Sequence, residues 1–257
     1  LNFDGHQFVK KAIADGAVAA VTDQPIDGCP CIVVPDTGTA LLQIAAYYRK
    51  KFSPILVGVT GSVGKTTTKE MIALVLSAAF ETLKTQGNLN NEIGLPKTLL
   101  HLAPEHKAAV IEMGMSHFGE IHRLSCTTQP TIGVITNIGF SHIENLGSQE
   151  GILKAKLEIL EGMTKPLLVL NNDNDMLHDY YEKNKENIKM ITYGIENKSD
   201  LMANDIIKKE NESIFSYEYN KKKYKVKVPV GGEHFILNSL CAIEVGRLLN
   251  IEDEAII

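Results

Sequence analysis

An apolar run, Ile55–Thr60, passes directly into Gly61-Ser62-Val63-Gly64-Lys65-Thr66 and then into a helical pattern, and no other stretch constrains the chain so tightly. A strand that ends in a glycine-rich turn opening a helix is the context a phosphate-cradling loop requires. Gly61 and Gly64 let the backbone turn so that successive N–H groups face one point. Lys65 supplies a point charge, Thr66 a hydroxyl for a divalent cation, and the helix N-terminus its partial positive charge. Thr60, Ser62, Val63 and Thr67 complete the candidate nucleotide-binding set. The strict GxxxxGK[ST] form calls for glycine at position 59, where this chain has Val59 preceded by Gly58. The alternative is an ordinary strand–helix turn.

Around this junction the pattern alternates. Residues 37–51 form a helix by the three-and-four spacing of Leu41, Leu42, Ala45 and Tyr48. Residues 66–80 form a second, with Met71, Leu74, Val75 and Ala78 on one face, and 148–163 a third. Buried strands are expected at 108–113, 131–136 and 167–170. This predicts an α/β fold containing the phosphate loop, with a mostly parallel central sheet flanked by helices. Beyond about residue 188 the texture changes: strands at 189–193, Ser213–Tyr219 and 224–229, the last two joined by a basic turn as an antiparallel segment near the C-terminus, then a final helix at 236–249. The lysine run at 221–223 reads as a solvated hairpin tip. Residues 1–35, with a helix at 7–15 and strands at 17–22 and 31–34, are too few for a domain and read as the remnant of an N-terminal α/β domain. Residues 36–257 are then the central domain.

The first residue is not methionine, so the chain is expected to be a piece of a longer protein. There is no apolar run of about 18 residues and no basic-then-apolar start, so neither membrane insertion nor a signal peptide is expected. The formal net charge of −5 argues against nucleic-acid binding by bulk attraction to phosphate. The four cysteines, Cys29, Cys31, Cys126 and Cys241, lack zinc or redox spacing and read as buried thiols in a reducing, cytoplasmic setting. A monomer is expected.

Several residues beyond the loop could carry chemistry. Glu112 closes an apolar strand at the carboxyl edge, where open α/β sheets bind ligands, and is either a solvated carboxylate or a metal ligand. His142 follows the next strand by a short loop. Lys156 shares its helix face with Ile152, Ile159, Leu160 and Met163, so its amine either snorkels to water or is desolvated with a lowered pKa. Asn88, Asn90 and Asn91 precede an apolar helix starting near Ile93 and are either turn and cap residues or ligand contacts.

Five stretches, in this order, resemble the Mur ligases: 60–68, TGSVGKTTT, with the same variation at the first glycine; 85–96, TQGNLNNEIGLP; 112–115, EMGM; 136–139, TNIG, with Ser141-His142; and 155–160, AKLEIL. The asparagine-rich stretch resembles the branch that adds D-alanyl-D-alanine to UDP-N-acetylmuramoyl-tripeptide, and 2–6, NFDGH, resembles that branch's N-terminal domain. The resemblance implies three domains, of which the C-terminal one, for the incoming amine, is not represented here, so that this piece alone would be inactive. It implies ATP as cosubstrate, with two Mg²⁺ ions held by Thr66, Glu112, His142 and Lys156, the last carbamylated by CO₂. Lys65, Glu112, His142 and Lys156 would be catalytic; Thr85, Asn88, Asn90 and Asn91 would contact the UDP-tripeptide. Asn238 matches an asparagine on the adenine side, whereas Phe235 departs from the family's asparagine after His234. Rival readings are another ligase of this superfamily, such as the folylpolyglutamate type, or a nucleotide-binding module without turnover.

Overall fold

The computed structural model describes residues 4–257. Asn2 and Phe3, which begin the stretch resembling an N-terminal domain, lie outside the described residues. A 3-10 turn at Gly5–Phe8 leads into α1 (Val9–Ala14), and β1 (Ala20–Thr22) and β2 (Cys31–Val33) pair in parallel as a sheet of their own. From α2 (Thr37–Arg49) onward the chain runs through β3 (Ile55–Thr60), α3 (Lys65–Ser77), β4 (Thr82–Lys84), α4 (Gly94–Leu99), β5 (Ala108–Glu112) and α5 (Glu120–Thr128). It continues through β6 (Ile132–Ile135), α6 (Ile143–Leu146), α7 (Gln149–Leu157), β7 (Leu167–Asn171), α8 (Asp175–Asn184), β8 (Lys189–Gly194) and β9 (Leu201–Met202). The strands from β3 to β9 form one seven-stranded sheet, parallel throughout, in the order β4-β5-β3-β6-β7-β8-β9. An antiparallel sheet of β10 (Asn204–Lys208), β11 (Ser213–Tyr219) and β12 (Lys222–Val228) follows, then α9 (Glu233–Leu248) and α10 (Asp253–Ile256).

Period-two alternation divides the core. Val57, Val59, Ala108, Val110, Ile132, Val134 and Val169 face α3, α9 and the antiparallel sheet. Leu56, Ala109, Ile111, Ile135, Leu168 and Leu170 face the helices of the other side, among them α2, α4, α5 and α7. Val59, where the strict loop form has glycine, is a fully buried core residue. Gly58 serves packing: it pairs in register with Gly133, and a Cβ on it would stand 3.2 Å from Ile159 Cδ1.

Three expectations shift in detail. The buried face of α3 is Thr68, Lys69, Ile72, Ala73, Val75 and Leu76, and Leu74 points to solvent. A lysine occupies one position of the inward stripe, so counting apolar residues alone sets the phase wrongly. The helix at 148–163 is α7, capped by the Ser148 hydroxyl, followed by a separate 3-10 turn at Glu158–Gly162. There the Ser125 hydroxyl donates to Ile159 O at 2.5 Å, and Gly162 packs so tightly on Ser125 that a Cβ would lie 2.1 Å from its carbonyl oxygen. The hairpin turn is Asn220-Lys221 alone, both left-handed, which places Lys222 and Lys223 in β12.

Lys223 pairs with Asp205 and Lys227 with Glu212, which makes this basic stretch a neutralised, solvated face. All four cysteines are free, but only Cys241 is buried; Cys29, Cys31 and Cys126 are half-buried, against the expectation. Among the described residues, no helix is long and apolar enough to cross a membrane.

Candidate active site

The carboxyl ends of β3, β5, β6 and β7 open onto one edge of the sheet, and the sequence-predicted residues gather there. Gly61 takes φ 153° against β6: a Cβ on it would fall 1.9 Å from Thr136 Oγ1. Gly64, at φ 81°, precedes α3, whose first turn has no side-chain cap and so presents free N–H groups. The N–H groups of Ser62 and Val63 do not face the cleft freely. Both donate to Asn137 Oδ1, at 3.0 and 2.9 Å, while the Thr136 hydroxyl donates to Val63 O at 2.7 Å and Gly139 N–H to Ser62 Oγ at 2.9 Å. The stretch 136–139 is therefore the scaffold of the loop. Sequence reasoning noticed it only as part of a resemblance and assigned Thr136 and Asn137 no role. Lys65 Nζ donates to Gly61 O at 2.9 Å and Ser62 O at 3.3 Å. Burial lowers its pKa, and the Glu112 carboxylate partly restores it. Thr60 is fully buried and its hydroxyl has no partner.

Glu112 is the hub of one wall. It is 1% exposed, which removes the solvated-carboxylate reading. Its Oε1 accepts from the Thr66 hydroxyl at 3.2 Å and from Asn90 Nδ2 at 2.8 Å, and its N–H donates to Thr85 Oγ1 at 3.0 Å. Its Oε2 is buried with no hydrogen-bond partner. The nearest cation to Oε2 is Lys69 Nζ at 3.9 Å, in a side chain with no solvent exposure that donates to Thr85 O at 2.7 Å and pairs with Glu70 at 2.9 Å. Sequence reasoning missed Lys69; its signal was the shared stripe with Ile72, Ala73 and Leu76.

On the other wall, Lys156 is 2% exposed, which favours the desolvated reading over a freely snorkelling amine. Its amine makes no hydrogen bond or ion pair with a described residue, and burial, with Lys65 nearby, brings its pKa down to about 7. Lys154, two residues earlier, is exposed over the Phe118 ring. His142, at φ 64°, heads α6 and lines the same cleft as Lys65, Asn90, Asn91, Gly114 and Glu120, a space of about 540 Å³.

The asparagine-rich loop divides by residue. Asn90 reaches Glu112, whereas Asn91 Oδ1 accepts from Ile93 N–H and Gly94 N–H and also edges the cleft. Asn88 is exposed and contributes its carbonyl to Asn90 N–H. Thr85 is fully buried and spent on Glu112 and Lys69, so its hydroxyl holds the wall rather than facing a substrate.

A second cavity of about 260 Å³ opens beside the phosphate loop, lined by Val63, Gly64, Thr67, Thr136, Asn137, Asn171, Tyr193, His234, Phe235, Leu237 and Asn238. Asn238 is buried there and its Oδ1 accepts from the Thr68 hydroxyl at 3.1 Å.

The donor set suits a hard divalent cation at Glu112, where a buried, unpartnered carboxylate oxygen stands beside the Thr66 hydroxyl. No group of three or more His, Cys, Asp or Glu side chains suited to a metal gathers among the described residues. Any cation would therefore depend on ligand oxygens as well, which is the habit of Mg²⁺.

The sequence profile of the Mur ligase middle domain matches residues 59–246. The UDP-N-acetylmuramoyl-tripeptide--D-alanyl-D-alanine ligase of Synechocystis is 41% identical over 98% of this chain and 54% of its own length. Among solved structures, MurF from Acinetobacter baumannii superposes with a TM-score of 0.92 at 34% identity, over 100% of this chain and 57% of that one. MurF from Thermotoga maritima in complex with ADP gives 0.88 at 29%, over 98% of this chain and 58% of that one. The chain spans about half the length of the curated relatives it matches. With the profile covering most of its length, and with its phosphate loop scaffolded on one wall of buried charge, this chain belongs to the Mur ligase family.

Proposed function

We propose that this chain is the ATP-binding part of a ligase that joins D-alanyl-D-alanine to UDP-N-acetylmuramoyl-tripeptide, with residues 36–257 as its central domain. The observation that carries the reading is Glu112: a buried carboxylate tied to Thr66 of the phosphate loop and to Asn90 of the asparagine-rich loop, with one oxygen unpaired. It joins a nucleotide wall to a candidate substrate wall. The named relatives supply the substrate identity.

Lys65 and the free N–H groups of the first turn of α3 would hold the β- and γ-phosphates. Thr66 and Glu112 would hold a Mg²⁺ ion, which when bound neutralises charge on the transferring phosphoryl group. The tripeptide carboxylate attacks the γ-phosphorus, releasing ADP and leaving an acyl phosphate. The amine of D-alanyl-D-alanine then attacks the acyl carbon and expels phosphate as the amide forms. Lys65 stabilises the charge moved in the first step, and the walls bearing Asn90, Asn91 and His142 orient the acceptor. Thr67, Asn137 and Asn238 line the side on which the rest of the nucleotide would lie.

Lys156 fits the remaining role that the resemblance implies. An amine with a pKa of about 7 is substantially neutral near physiological pH and can attack CO₂, forming a carbamate and releasing one proton. The product is an anion beside Lys65, able with His142 to accept a second Mg²⁺. Carbon-13 NMR with labelled bicarbonate would show a carbamate signal lost in Lys156→Met; no such signal would remove this part of the reading.

The whole reading is tested by supplying the full-length protein with ATP, Mg²⁺, the UDP-tripeptide and D-alanyl-D-alanine, and following ADP and the new amide. Turnover with single amino acids or with folyl substrates in place of the dipeptide would overturn it. Lys65→Ala is expected to weaken ATP binding about tenfold to a hundredfold, the worth of a charged hydrogen-bond donor on phosphate.

A further inference from the structure

The cavity beside the phosphate loop contains an asparagine with no assigned role. Asn171 ends β7 at the carboxyl edge and is 7% exposed. Its Oδ1 accepts from Asp173 N–H at 3.0 Å, which fixes the carboxamide with its oxygen turned to the protein. Its Nδ2 donates to no described residue, and the side chain lines the cavity. The adjacent Asn172 shows the contrast: its Nδ2 donates to Lys198 O at 2.9 Å and its Oδ1 meets His178 Nδ1 at 3.1 Å, so both ends are spent inside the fold. The Asn171 Nδ2 is thus held by nothing in the fold and stays available to an acceptor in the cavity.

The sheet order indicates what that acceptor is. The phosphate loop follows β3, and the next strands outward are β6, ending before Asn137, then β7 with Asn171, then β8 with Tyr193. A nucleotide with phosphates at Lys65 that runs along this edge passes Asn137 first and reaches Asn171 with its base. Tyr193, Phe235 and Leu237 give that end apolar walls for a purine. Asn137 has spent its oxygen on the loop, at Ser62 and Val63, so it acts at the phosphate end.

We propose that Asn171 reads the base of the nucleotide, its fixed Nδ2 donating to a ring nitrogen of the purine. This rests on the ATP-binding reading above and goes beyond it, because it places base selection on β7 as well as on α9. A donor at this point accepts adenine through an unprotonated ring nitrogen and cannot pair with a ring N–H.

Calorimetric binding of ATP and of 1-deaza-, 3-deaza- and 7-deaza-ATP, to the chain and to Asn171→Asp and Asn171→Ser, tests this. Both replacements can still accept from Asp173 N–H but lose the amide donor, and circular dichroism establishes that they fold. The expected result is a fall in ATP affinity of about threefold to tenfold in both variants, the worth of one neutral hydrogen bond. One deaza analogue should bind the parent chain more weakly by a similar factor and be indifferent to the substitutions. Folded variants that bind ATP like the parent, or losses that add for all three analogues, overturn the proposal. Failure of the parent chain to bind ATP at all sinks the underlying reading instead.

Discussion

The two walls of the cleft each bury a lysine, and they treat it in opposite ways. On the wall built by α3, β4 and β5, Lys69 has no exposure but is fully partnered, by Thr85 O, by Glu70 and, more distantly, by Glu112. On the wall built by α7, Lys156 is as deeply buried and has no partner, and the nearby charge that acts on its amine is another cation, Lys65. The same side chain is thus held by partners in one place and left as a proton-labile amine in the other. Partners within hydrogen-bond reach, rather than depth, decide which.

The largest effect should come from breaking the partnered side. Lys69→Met would leave the Thr85 carbonyl and the buried Glu112 carboxylate without their cation, and is expected to destabilise the fold by about 3–5 kcal/mol. Urea denaturation of this variant beside Lys156→Met measures the contrast. Equal losses in both would mean that the walls do not differ as described.

Lys156→Met should act in the opposite direction, and its effect should depend on pH. Ammonium burial lowers the folded-state pKa to about 7 from the ordinary 10.5. Below about pH 7 both states are protonated and the folded state carries the full desolvation penalty. As pH rises from there toward 10.5 the folded amine is neutral while the unfolded one still binds a proton, so parent stability climbs. In CO₂-depleted buffer, Lys156→Met should therefore be more stable than the parent by about 2–4 kcal/mol at pH 6 and converge with it above about pH 10. A difference that stays constant with pH would place the amine in water.

These two lysines also mark where the sequence was legible. Lys156 could be found because its neighbours Ile152 and Ile159 are apolar at helical spacing, so the exception stood out. Lys69 was hidden by a competing stripe through Met71, Leu74 and Val75, which is equally regular in sequence although Leu74 points to solvent and Met71 is only half-buried. The mostly parallel, two-sided sheet followed from alternation alone, because parallel strands need crossover helices; the strand order did not. The functions of Asn137 and Asn171 did not follow. They depend on which carboxamide oxygen meets which backbone N–H across adjacent strands, and no local pattern encodes that. Thr85 was drawn toward the substrate by its place in a motif, whereas its burial against Glu112 is a long-range fact.

The smallest expected effect tests the phase of α3, on which the placing of Lys69 depends. Leu74 is 76% exposed, and Ile72, two residues earlier, has no exposure. If the inward stripe is Lys69, Ile72, Ala73 and Leu76, Leu74→Ser removes almost no buried surface and should change stability by less than about 0.5 kcal/mol. Ile72→Ala should cost about 2–5 kcal/mol by opening a cavity between α3 and the sheet. A loss above about 1 kcal/mol for Leu74→Ser, measured by the same denaturation, would exceed what an exposed side chain can contribute. It would show that the outer face of α3 is covered in solution. Lys69 would then owe its isolation from water to more than the packing of this helix on β5.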